Sequence, residues 1–367
     1  MLAPGRFCAI VMLLLLTACA ADRPVASTSD TSATNPTRTV FVGTTRAINT
    51  ASGEFGSGRS ATVAFAHLDV EIARRPTAEP GDSPGRTVGH GPARQPKPGL
   101  VAIYPDAGAF RADLAHALAS NRGADQDAVI FVHGFNTDFA SGVSRFATVA
   151  SELNMKGVLV HYSWPSAGKL SGYAYDRDSA RFARDGLELL INQVEAAGAR
   201  RILLVAHSMG ADLVMEALRQ AAIRGDTRLR RHLAGVILIS PDIDVDVFHA
   251  QALAIGQLPQ PFVIMGSALD PLLSISAALG GQPRRLGNLR GIVSLADLQV
   301  TYLDISAYVV GSAHSAISDS PDLITLLATI SDLDATFMVG PRYKVNSLPA
   351  KTIVRRFRHA TKIVLQR

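Results

Sequence analysis

The stretch Leu203-Leu204-Val205-Ala206-His207-Ser208-Met209-Gly210 limits what this chain can fold into more than any other. An apolar β-type run ends in small-His-Ser-X-Gly, and a helical pattern begins at once in Asp212-Leu213-Val214-Met215-Glu216-Ala217-Leu218. A serine caught between a buried strand and a helix must sit on a turn sharp enough to strain its backbone. That turn pushes Oγ into the open at the strand's carboxyl end, the arrangement called a nucleophile elbow. Small residues on either side, here Ala206 and Gly210, let strand and helix close on one another. Glycine is usual at the first of these places, and Ala206 is a mild departure.

The rest of the body alternates strands and helices. Val40-Phe41-Val42 and Leu68-Asp69-Val70-Glu71-Ile72 lead, followed by a helix around Phe110 to Ala119 and an apolar strand over Ala128 to Val132. A strand from Gly157 to Tyr162, a helix from about Asp176 to Ala197 and the nucleophile strand at Ile202 to Ala206 come next. Further strands fall at Gly235 to Ile239, Phe262 to Met265 and Val300 to Leu303. Strands that are apolar throughout are buried on both faces, as in a parallel sheet. The pattern predicts an α/β fold, a mostly parallel sheet flanked by helices on both faces, with the site beyond the carboxyl ends of the strands. At 367 residues and 47% hydrophobic content the chain can build such a core.

The two ends carry a different message. Met1 to Ala18 reads as a signal peptide: Arg6 is the basic region, Cys8 to Leu16 the apolar core, and Leu16-Thr17-Ala18-Cys19 the close. The apolar run is far short of the ~20 residues a membrane-spanning helix needs. Leu-Thr-Ala-Cys resembles the bacterial lipoprotein box, which makes Cys19 the first mature residue and the lipidation site. Residues 19–39 then read as lipidated cysteine and disordered tether, 40–345 as the catalytic domain and 346–367 as a basic tail. Arg75 to Lys97, with several Pro and Gly, reads as a second loose stretch. Cys8 and Cys19 are the two cysteines, so no disulfide is expected.

The net charge of +5 is concentrated at the C-terminus. Lys351, Arg355, Arg356, Arg358, Lys362 and Arg367 face no acid in that stretch, and without them the mature body is slightly acidic. That excludes nucleic-acid binding by the body as an inference from charge. Ile353, Phe357, Ala360 and Val364 fall at helical spacing among these cations, a pattern for a helix docked on the core, solvated, or lying on anionic lipid. The expected location is the bacterial envelope, facing the periplasm. Ala20 and Ala21 after Cys19 lean towards the outer membrane.

A serine needs a base, an orienting acid and an oxyanion hole. Val132-His133-Gly134-Phe135-Asn136 follows a buried strand upstream of Ser208. The backbone N–H of Phe135, turned by Gly134, and that of Met209 are the expected oxyanion donors. His133 is expected to orient this loop, with His207 and Asp242 as further supporting residues. Of the ten histidines, only His232, His249, His314 and His359 follow Ser208. In elbow-bearing sheets the order is nucleophile, acid, histidine, and His314, in the small-residue loop Gly311-Ser312-Ala313-His314-Ser315, fits best. Asp270, after the strand Phe262 to Met265, competes with Asp242 for the acid. Asp residues before Val245 also suit a helix N-terminus, and spacing supports a cation site there only weakly. The sole tryptophan, Trp164, either lines a pocket or packs its loop.

Taken with Gly43-Thr44-Thr45-Arg46, Tyr162-Ser163-Trp164-Pro165-Ser166 and Ser240-Pro241-Asp242-Ile243-Asp244, these motifs resemble the bacterial esterase/lipase-like α/β-hydrolases, a domain family of unknown function. The resemblance spans about Val40 to Leu327. It implies an α/β-hydrolase fold and a triad of Ser208, Asp270 and His314. The expected activity is ester cleavage through an acyl-serine, on a small-molecule or lipid ester, with no cofactor or metal. An amidase or thioesterase with the same triad, and a non-catalytic envelope binding lipoprotein, are the alternatives.

Overall fold

The computed structural model describes residues 36–72, 98–120, 127–153, 155–226, 231–279, 284–308 and 352–365. The signal peptide, Cys19, the stretch from Arg75 to Lys97 and His314 lie outside the described residues.

In chain order the elements are β1 (Thr37–Ile48), β2 (Phe55–Glu71), β3 (Gly99–Ile103), α1 (Ala107–Ser120), β4 (Asp127–Val132), α2 (Phe139–Glu152), β5 (Val158–Ser163) and α3 (Tyr173–Ala196). Then follow β6 (Arg201–His207), α4 (Met209–Ile223), β7 (Leu233–Ile239), α5 (Val245–Ile255), β8 (Phe262–Gly266), α6 (Pro271–Leu279), β9 (Thr301–Asp304), β10 (Thr352–Phe357) and β11 (Ala360–Leu365). The strands form one 11-stranded sheet in the order β10-β11-β9-β8-β7-β6-β4-β5-β1-β2-β3. From β1 through β9 to β11 the neighbours run parallel, and β2, β3 and β10 add antiparallel edges.

Successive residues of each strand point to opposite faces. In β4, Ala128, Ile130 and Val132 join a core with Leu114 of α1, Leu187 of α3, Val214 of α4 and Phe248 of α5. Val129 joins the opposite core with Val143, Phe146 and Ala147 of α2. Both faces are therefore dry, which is why these strands are apolar without alternation.

Two expectations are corrected here. β1 begins at Thr37, so the last residues assigned to the tether already pair with β2. Residues 352–365 of the basic tail form no helix. Thr352–Phe357 and Ala360–Leu365 form a hairpin around Arg358, which has φ 44°, and β11 pairs parallel to β9. The stretch is rich in β-branched residues, and its apolar positions fit period 2 as well as period 3.6. Ala360, Ile363 and Leu365 bury inward. Lys362 is buried too, with Nζ 2.9 Å from Asp304 Oδ2 and 2.9 Å from the Arg290 carbonyl. The amphipathic helix that the spacing suggested, whether docked, solvated or on lipid, does not form over residues 352–365.

Candidate active site

β6 ends at the carboxyl edge of the sheet, and Ser208 follows with φ 52° and ψ −121°, directly before α4. No regular element accepts that conformation for a non-glycine residue, so its surroundings must impose it. They do. The Ser208 N–H donates to the Ile239 carbonyl (2.9 Å), while its own carbonyl accepts from the N–H groups of Ala211 (3.0 Å) and Asp242 (3.2 Å).

Two glycines let the chain close around it. A Cβ on Gly210 would lie 2.3 Å from the His133 carbonyl oxygen and 2.7 Å from that of Val132, so α4 approaches the end of β4 at backbone distance. A Cβ on Gly134 would lie 2.7 Å from His207 Nδ1 and 2.9 Å from Ser208 Cβ. Ala206 is fully buried, and its methyl group is accommodated in place of the usual hydrogen. For Gly210→Ala, helix propensity would favour alanine by about 1 kcal/mol. A contact with backbone oxygen costs more, about 3 kcal/mol, so a melting temperature lowered by several degrees is expected in thermal denaturation.

Met209 opens α4, so its N–H belongs to the first turn, whose N–H groups have no partner within the helix. Phe135 stands beyond β4, half-buried, with its ring edge-on to Tyr173 at 5.4 Å. His133 is buried, with Nδ1 2.9 Å from the Gly134 carbonyl and Nε2 3.0 Å from that of Trp164. Because the peptide is planar and trans, a Gly134 carbonyl held towards this ring turns the Phe135 N–H away from it. Burial, the Arg46 charge and neighbouring His161 hold His133 well below the ordinary histidine value, so it stays neutral. Trp164 is fully buried, stacks on His133 at 4.8 Å and donates from Nε1 to the His133 carbonyl at 2.7 Å. The indole thus packs the loop that carries His133.

His161 lies between the rings of Phe131, Phe146 and His133, and neither of its nitrogens has a hydrogen-bond partner among the described residues. Burial, then Arg46, pushes it down to about 3. A histidine that holds its proton less readily folded than unfolded, where the value is about 6.5, makes the unfolded chain the better proton binder between those limits. Stability is expected to fall as pH drops from about 6.5 towards 3, because each unit of such a difference is worth about 1.4 kcal/mol. His161→Leu should flatten that slope in melting curves recorded across the same window.

Asp270 follows β8, is fully buried, and accepts at Oδ1 from the N–H groups of Leu272 (3.0 Å) and Leu273 (3.2 Å), capping α6. Asp242, its competitor, is engaged through both oxygens. Tyr173 donates to Oδ2 at 2.9 Å, Ser276 donates to Oδ1, and Arg285 Nε lies 3.3 Å from Oδ1. Burial, then the Asp242 charge, pushes the Tyr173 phenol up, which keeps it a donor. Asp244 caps α5, accepting from Asp246 and Val247.

Two of the other downstream histidines pair with acids. His232 sits at the amino end of β7, 3.3 Å from Glu195, and His249 on α5 contacts Asp297 at 2.7 Å. His359 lies in the turn between β10 and β11. Among the described residues, no group of three or more His, Cys, Asp or Glu side chains is placed to hold a metal ion.

The profile of one family, alpha/beta hydrolases of unknown function (DUF900), matches residues 106–329, well over half of the chain. The chain belongs to this family. The matched span runs from the start of α1 past β9 and includes the elbow, the Phe135 loop, Asp242 and Asp270. Solved esterases are similar at low identity. An esterase of Pyrobaculum calidifontis shares 12% identity over 58% of this chain and 77% of its own, with a TM-score of 0.36. An inhibited esterase B from Lactobacillus rhamnosis shares 16% over 59% of this chain and 80% of its own, with a TM-score of 0.35. No curated protein matches the sequence. The sheet order agrees with the family's fold: β4 and β5 exchange places beside β6, and Ser208 follows the strand at the sheet's centre.

Proposed function

We propose that this hydrolase is a serine carboxylesterase, with Ser208 as nucleophile, Asp270 as acid and His314 as base. The observation that carries the reading is the strained Ser208 backbone, φ 52° and ψ −121°, locked between β6 and α4. Strain of this kind costs about 1–3 kcal/mol and persists where it serves a purpose. His314 takes the Ser208 proton as Oγ attacks the ester carbonyl, and Asp270 orients and stabilises the imidazolium. The N–H groups of Phe135 and Met209 bind the oxyanion. The tetrahedral intermediate expels the alcohol, which takes its proton from His314, and leaves an acyl-serine. Water, deprotonated by His314, then releases the acid and restores the serine. Lipidation of Cys19 would hold the enzyme at the envelope, with a small-molecule or lipid ester as substrate.

The test is hydrolysis of p-nitrophenyl esters graded by acyl length. Wild-type turnover that disappears in His314→Ala supports the reading. Turnover that survives His314→Ala contradicts it.

A further inference from the structure

The Gly43-Thr44-Thr45-Arg46 and Ser163-Trp164-Pro165-Ser166 motifs take no part in the chemistry above, yet both converge on the loop that carries Phe135. Asp176, fully buried in the first turn of α3, is the pivot. Its Oδ2 accepts from the Asn136 N–H at 3.1 Å and from Ser166 Oγ at 2.6 Å, and its Oδ1 accepts from the Ala167 N–H at 2.6 Å. Ser166 Oγ in turn accepts from the Thr137 N–H at 3.1 Å. The two N–H groups that follow Phe135 are thus tied to one carboxylate, the first directly and the second through a hydroxyl.

Arg46 closes the other side. It is 2% exposed, and its Nη2 donates to the Thr137 carbonyl at 2.8 Å, its Nη1 to that of Ser166 at 3.0 Å and its Nε to Ser163 Oγ at 2.9 Å. A buried carboxylate and a buried guanidinium would each be costly alone, and each is compensated here by several hydrogen bonds. What they hold is itself unfavourable: Asn136 has φ 56°. A left-handed residue directly after an oxyanion donor stays in place only where neighbours over-determine it.

We propose that Asp176, with Ser166 and Arg46, is a positioning residue for the Phe135 oxyanion donor. The inference rests on the serine-hydrolase reading and goes beyond it, because it names the groups that hold the hole in shape before substrate arrives. A scaffold role alone would lower the amount of folded protein. A positioning role lowers transition-state binding in molecules that are folded.

The experiment compares wild type with Asp176→Asn, which keeps the shape but places an NH2 group against N–H donors, and with Ser166→Ala, which removes one relay without a change of charge. Active sites are titrated with a fluorophosphonate, and kcat/KM per titrated site is measured on a p-nitrophenyl ester. Inhibition by an alkylboronic acid, a tetrahedral analogue, is measured beside inhibition by the product alcohol. In Asp176→Asn, kcat/KM per site and boronic-acid affinity are expected to fall together by about 100-fold, the scale of one lost oxyanion donor. The expected loss for Ser166→Ala is about tenfold by the same reasoning, and alcohol binding is unchanged in both. Unchanged kcat/KM per site and boronic-acid affinity in Ser166→Ala, and in Asp176→Asn if it folds, overturn this proposal alone. Wild-type protein that neither reacts with the probe nor turns over the ester overturns the hydrolase reading with it.

Discussion

Ser208→Ala is expected to lower kcat for an ester substrate by about 10^6-fold, the scale on which a triad acts as one unit. The change removes a single oxygen from a side chain that is 2% exposed. It leaves the backbone hydrogen bonds to Ile239, Ala211 and Asp242 in place. Melting temperature should therefore stay close to wild type while turnover disappears. Stopped-assay kinetics at high enzyme concentration, run beside a thermal melt, separate loss of chemistry from loss of fold. A variant that folds and still turns over at more than a few per cent of the wild-type rate would remove Ser208 from the chemistry.

Asp270→Asn carries the second-largest expected effect, about 10^4-fold in kcat, because an amide at the proposed acid of the triad would favour the wrong histidine tautomer. Asparagine caps a helix about as well as aspartate, so the bonds to Leu272 and Leu273 can persist. The loss should therefore come with little change in stability. Asp242→Asn should behave in the opposite way. It leaves the buried Arg285 guanidinium without its counter-charge, a change that costs about 3 kcal/mol or more, and its effect on kcat should be much the smaller. Kinetics and melts of the two variants side by side decide between the acids. A greater loss of kcat in Asp242→Asn would transfer the role to Asp242.

What could be read from the sequence followed from distance along the chain. The elbow is local: strand, serine and helix are contiguous, and Gly210 announces the close approach at the position where it happens. The parallel core was legible because strands buried on both faces must be apolar throughout. The C-terminal stretch was misread because Ile353, Phe357, Ala360 and Val364 satisfy a helical period, while its neighbours Thr352, Val354, Thr361 and Ile363 favour a strand. β11 is settled by a partner far away in sequence, β9. Trp164 looked equally suited to a pocket and to packing, since its hydrogen bond to the His133 carbonyl spans 31 positions. Asp176 gave no sign of a role beyond opening its helix. It sits at the start of a helix, where acids are common, and its bond to Asn136 crosses 40 positions. The one hint was the combined presence of Arg46 and Ser166 in motifs that had no chemical task of their own.

The central claim is that Ser208 is an activated nucleophile. The most direct measurement is to react the folded wild-type protein with a fluorophosphonate and map the adduct by mass spectrometry of its proteolytic peptides. The account predicts a single stoichiometric phosphonyl group on Ser208, with labelling lost in both Ser208→Ala and His314→Ala. A folded protein that stays unlabelled, or one that carries the adduct on another residue, would contradict it.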